Sequence, residues 1–242
     1  MKKTSNKIIL LFVIVLLGVF SNTPVFAGNK GELLKRAKEA IEIAGETAKN
    51  SLDVKISDVT MGDGVFVDIL FKEAGFACTA GLDDKIEIKV YEEENGKATD
   101  IACNLISSFG TSTYYAYKRP GSSIQAELDM AVMSIKMMRG DNLVEMPPPL
   151  EMETIPNRAK FSDFKIFEGT LAKAFVNNQE DYITSVFIGQ KDDWFIKLRD
   201  TSNLAMPKRG IYYWFVIWKM VRPDVYEKDK ERMRQSVQKP TN

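Results

Sequence analysis

The stretch "DYITSVFIGQKDDWFIKLRDT", residues 181–201, decides the fold. Two runs rich in β-branched and aromatic residues flank a polar break, the pattern of a β-hairpin. At period two, Trp194, Ile196 and Leu198 fall on one face of the second run, and Phe195, Lys197, Arg199 and Thr201 on the other. Pairing the runs through a loop from Gly189 to Asp193 sets Val186 opposite Ile196 and Ile188 opposite Trp194. The apolar face then turns inward, and Ser185–Lys197 and Ile183–Arg199 form an outer row. A slip of one residue would instead bury Lys197 and Arg199 beside those apolar partners. On the outer row the two cations stand roughly 7 Å apart. They are a candidate anion-binding pair for a carboxylate or phosphate.

Working outward, "FKIFEGTLAKAFV" (164–176) supplies a third strand to make a meander. Upstream, "LDVKISDVT" (52–60) and "GVFVDILF" (64–71) flank the turn "MGDG" and read as another hairpin. "KIEIKVYEE" (85–93) alternates cleanly and leads through an acidic turn towards "DIACNLISSF" and "TSTYYAYK". Two stretches have helical period: 31–49, and 121–140, where Ser122-x-x-Gln125 fits a capping box and Gly140 a C-terminal glycine. Residues 211–221, "IYYWFVIWKMV", are apolar all round and hence buried, but periodicity alone does not choose between strand and helix. Residues 223–235 read as a charged C-terminal helix.

Runs of strands broken by helices, without βαβ alternation, indicate an α+β fold. The expectation is a largely antiparallel sheet with helices packed on one face and one disulfide. Residues 28–242 read as a single domain, with a candidate subdomain boundary in the proline-rich connector 146–157.

The N-terminus has a basic start, a thirteen-residue apolar run from Ile8 to Phe20, and Val25-x-Ala27 before Gly28. That layout predicts a secretory signal peptide, residues 1–27, cleaved after Ala27. The run is short of the roughly 20 residues a spanning helix needs, so the mature chain is expected to carry no membrane span and to work in the periplasm or outside the cell.

Export gives the cysteine pair its meaning. In an oxidising compartment Cys78 and Cys103 read as a disulfide. Removing Lys2, Lys3 and Lys7 with the signal leaves 30 basic against 33 acidic residues. That balance disfavours nucleic acid as a partner.

Histidine is absent. Ser-His-Asp and Cys-His catalysis, His-ligated zinc and imidazole acid–base chemistry are therefore excluded. Neither metal nor cofactor is indicated. Ser162-x-x-Lys165 matches the nucleophile motif of penicillin-binding proteins, yet S-D-N and K-T-G companions are missing. Adjacent acids at Asp83-Asp84, Glu92–Glu94 and Asp192-Asp193 fall at turns, where solvated charge is the ordinary explanation.

Two further surfaces suggest binding. Met130, Met133 and Met137 form a stripe on the 121–140 helix, nearly opposite its aliphatic stripe. Methionines so placed either fill gaps between layers or cover a partner-binding face. Tyr114, Tyr115 and Tyr117, followed by Lys118-Arg119, form an aromatic–basic patch, with Tyr114 on the opposite side from the other two in an extended strand.

These residues point to an exported, non-catalytic binding or cell-envelope accessory protein, with a protein or small envelope ligand as partner. The rival is a carboxylate-based hydrolase acting on an envelope or extracellular polymer. Two carboxyls converging in a pocket would favour the rival.

Overall fold

A computed structural model describes residues 25–58, 64–92, 97–140, 142–146, 169–177, 179, 181–204 and 209–224. In chain order the elements are α1 (Val25–Ala44), α2 (Glu46–Ser51), β1 (Leu52–Ile56), β2 (Phe66–Phe71), β3 (Phe76–Gly81), β4 (Lys85–Glu92), β5 (Ala98–Ser107) and β6 (Gly110–Lys118). Then follow α3 (Ile124–Arg139), β7 (Val144–Glu145), β8 (Thr170–Asn177), β9 (Tyr182–Lys191), β10 (Trp194–Asn203) and α4 (Arg209–Val221).

The strands form a three-stranded sheet, β1-β2-β3, and a seven-stranded sheet in the order β4-β5-β6-β10-β9-β8-β7. Every pairing is antiparallel. The large sheet is two meanders joined side by side. The first runs β4-β5-β6 and the second β8-β9-β10, with β6 hydrogen-bonded to β10 along the join. Residues 147–157 of the proline-rich connector, Ser162 and Lys165, and residues 225–235 lie outside the described residues.

The hairpin at 181–201 forms, but its register differs from the expected one. A two-residue turn at Asp192-Asp193, with Asp192 at φ 52°, sets Lys191 opposite Trp194. Asp tolerates this left-handed conformation better than most residues do. The tight turn places Ile196 against Gly189, Lys197 against Ile188 and Arg199 against Val186. Lys197 and Arg199 therefore share a face with Phe195, Val186 and Ile188, the arrangement a slip in register produces. The outer row of Ser185–Lys197 and Ile183–Arg199 is not formed.

The reason is that both faces of the large sheet are covered. One face carries Ile101, Leu105, Tyr114, Ile196 and Leu198 into a core shared with Leu33 and Ala37 of α1, Phe71 and Phe76 of the small sheet, and Trp214 and Trp218 of α4. The other face carries Tyr117, Phe175, Val186, Ile188 and Phe195 into a second core closed by Leu128 and Ile135 of α3. The expectation of helices on one face is thus corrected. α1 and α4 pack on one side of the large sheet and α3 on the other, because the apolar residues of β9 and β10 run on both sides of the strands.

The undecided 211–221 segment is helical. Trp214, Ile217, Trp218 and Val221 recur at helical spacing and are all buried. Each large apolar side chain so buried contributes about 1.5–3 kcal/mol. The expected 31–49 helix is divided at Gly45, whose φ of 100° suits glycine alone, and α1 extends back to Val25. Cys78 on β3 and Cys103 on β5 stand at bonding distance, 2.18 Å, and tie the small sheet to the large one. Among the described residues no helix is long and apolar enough to cross a membrane.

Candidate functional site

α3 packs chiefly over β8 and β9 and reaches β6 only through its N-terminal part at Tyr117, so a step opens between the helix and the β4-β5 end of the sheet surface. Period two decides which side chains floor it. One row across the strands is Lys89, Ala102, Tyr115 and Lys197; the next is Tyr91, Asp100, Tyr117 and Phe195. Ala102 is small and leaves depth between its neighbours. The wall is Glu127, Met130, Ala131 and Ser134 of α3, with Arg119 at the end of β6. The cleft is open to solvent and has a volume of about 550 Å³, within the range of small-molecule sites.

The wall is held by a buried carboxylate. Glu127 is 3% exposed and accepts from Tyr117 Oη at 2.9 Å, Ser122 Oγ at 2.6 Å and Arg119 Nη1 at 3.4 Å. Ser122, expected to cap α3, is used in this way instead. The cap is Ser123, whose Oγ accepts from Ala126 N at 3.1 Å. Burial, followed by the bond to Glu127, pushes the Tyr117 hydroxyl well above its ordinary range.

Lys197 occupies the floor. Its Nζ lies 4.4 Å from the centre of the Tyr115 ring and 5.1 Å from that of Tyr117. Burial lowers its pKa to about 8, with the nearby Arg119 and Arg199 adding to the effect and Glu127 opposing it. Among the described residues no hydrogen bond or ion pair engages this amine. Asp100 lines the same cleft, and burial raises its carboxyl above the ordinary range against the pull of Arg119 and Lys197.

The expected site residues separate. Lys197, Tyr115, Tyr117 and Met130 meet at the cleft. Arg199 does not line it; its guanidinium is 3.8 Å from the Met138 sulfur, so the two cations are not a paired clamp. Tyr114 is 1% exposed in the opposite core, and its hydroxyl finds no hydrogen-bond partner among the described residues. It is corrected from the partner surface to the interior. Met133 and Met137 are 60% and 80% exposed, so the stripe is surface rather than filling between layers.

Asp84 is not a solvated turn acid. It is buried, accepts from Gly81 N at 2.7 Å, and burial raises its pKa. Sequence reasoning missed Asp100 and Glu127. The signal for Glu127 was an acid one position before Leu128, on the shoulder of the aliphatic stripe. Asp100 had none, since its role depends on which end of the sheet α3 leaves open. Among the described residues no three His, Cys, Asp or Glu side chains converge as a metal site would require.

Comparisons of the chain with protein-family models, with curated proteins and with solved structures found no match.

Proposed function

We propose that the protein is an exported, non-catalytic binding module of the cell envelope, and that the cleft between α3 and the β4-β5-β6 surface takes a small ligand bearing a carboxylate. The observation that supports this reading is the amine of Lys197. It is half-buried at the bottom of a cleft, its three N–H donors are unspent among the described residues, and its close neighbours are ring faces. Lys197 is only partly exposed, so water serves these donors less fully than on an open surface and a ligand's acceptor can replace it. A carboxylate entering the cleft would supply acceptors to Lys197 and find a second cation, Arg119, in the same lining beside the Tyr117 ring. Tyr115, Tyr117 and Tyr91 would take a flat or apolar body attached to it.

The test is an NMR titration of the disulfide-bonded protein with benzoate and with benzamide. Benzoate should shift the Lys197, Tyr115 and Tyr117 signals at least tenfold more strongly at equal concentration, and Arg119→Gln should weaken it. Equal response to the two, or none at the cleft, refutes the reading.

The carboxylate-hydrolase alternative draws on Asp100 and Glu127 lining one cleft. Glu127 has its oxygens engaged by three donors, which suits a fixed wall better than proton transfer. Export is part of the same proposal: mass measurement of the secreted chain should give an N-terminus at Gly28, and an uncleaved N-terminus counts against it.

A further inference from the structure

We infer that Lys197 captures carbonyl ligands covalently, as an imine, and that the ligand class of the cleft is a carboxylate carrying an aldehyde or ketone. The inference rests on the reading of the cleft as a carboxylate site and adds a bond to it. Three structural features support it. The amine is at the floor of an open cleft of about 550 Å³ rather than inside a closed core, so a small carbonyl compound can reach it. It lies over the Tyr115 and Tyr117 rings without a hydrogen bond among the described residues, so no hydrogen-bond partner has to be broken before it attacks. Arg119 flanks the same Tyr117 ring, so a carboxylate beside the carbonyl has a cation to orient it.

The step balances without an external oxidant or reductant. The lone pair of the neutral amine forms a bond to the carbonyl carbon, and the carbonyl oxygen takes up a proton as the nitrogen gives one up. Water then departs from the resulting carbinolamine as the carbon–nitrogen double bond forms. Asp100, in the same cleft with its carboxyl raised by burial, is the group placed to return a proton to the leaving hydroxyl. Burial favours the neutral amine that the step requires. The charges that face Lys197 are Glu127 from α3, Arg119 after β6, Asp100 from β5 and Arg199 on its own strand. Lys89 of β4 completes the lining.

The experiment is reductive trapping on the intact protein. Glyoxylate or propanal is added with cyanoborohydride from pH 6 to 10, and modified lysines are mapped by peptide mass. Lys197 should be labelled about tenfold faster than the exposed lysines at pH 7.5, because more of it is neutral there than of an ordinary lysine. Its rate should reach half its plateau near pH 8. Arg119→Gln should slow glyoxylate several-fold more than it slows propanal, which loses only the help Arg119 gives in keeping the amine neutral, and Lys197→Arg should remove the selective site while keeping a cation for benzoate. Label spread over the exposed lysines without preference for Lys197 overturns the inference. If benzoate still binds in that case, only the covalent step has failed; if benzoate does not bind either, the carboxylate reading has failed with it.

Discussion

Lys197 makes a measurable demand on the fold. Its amine titrates near 8 when folded and near 10.5 ordinarily, so between those values the unfolded chain holds the extra proton. Stability from this group therefore rises with pH across that window, and below pH 8 the cost of burying the cation is constant. The two ring faces favour the charged form and reduce the cost. We expect Lys197→Met to be more stable than wild type at pH 7 by about 1–2 kcal/mol, with the gap narrowing by pH 10. Urea unfolding of both proteins at several pH values checks it; a gap that stays constant with pH contradicts it.

A second residue of the same strand does the opposite. Asp200 is 1% exposed and accepts from Arg209 Nε at 3.0 Å and from Ser112 Oγ at 2.6 Å, beneath the start of α4. Asp200→Ala would leave Arg209 buried without its carboxylate, a loss of about 3–5 kcal/mol. The unfolding midpoint reads it directly.

Among the elements, α4 depends on a missing side chain. A Cβ on Gly189 of β9 would lie 2.5 Å from the Trp218 ring and 3.2 Å from Thr170 Cγ2. The helix can approach the sheet only over a glycine. Gly189→Ala should cost about 1–3 kcal/mol through forced displacement of α4, with a change in Trp218 fluorescence accompanying the lower urea midpoint.

That contact also shows what the sequence could convey. Period-two alternation located β4 and β10, runs rich in β-branched residues located β2 and β9, and the aliphatic stripe located α3, because each pattern is local. The 181–201 register was not legible. Either pairing buried apolar residues, since Val186, Ile188 and Phe195 face one core and Ile196 and Leu198 the other. The choice lay with Asp192 and with a helix from elsewhere in the chain. For the same reason half of the site could be read: Lys197, Tyr115 and Tyr117 were visible as chemistry, but their meeting with Asp100 and Glu127 is a product of strand order.

On the scale of the whole molecule, the Cys78–Cys103 bond closes a loop spanning 25 residues and joins the two sheets within the first half of the chain. Chain entropy gives it about 3.5 kcal/mol. The double variant Cys78→Ala, Cys103→Ala should lose about that much, and thiol alkylation of the untreated protein should label neither position. Full labelling without reductant contradicts the bond.

The join between β6 and β10 has a consequence for the order of events. Each meander is made of neighbours in sequence, whereas Lys197 meets Tyr115 only across the join, by a contact far apart along the chain. Bringing such distant residues together carries a larger loop-closure entropy cost than pairing neighbours does. A chain in which both meanders stand but have not met has the rings on one piece and the amine on the other. The Lys197–Tyr115 contact therefore exists only once the two halves are joined, and the reactivity of Lys197 during refolding would report when that joining occurs.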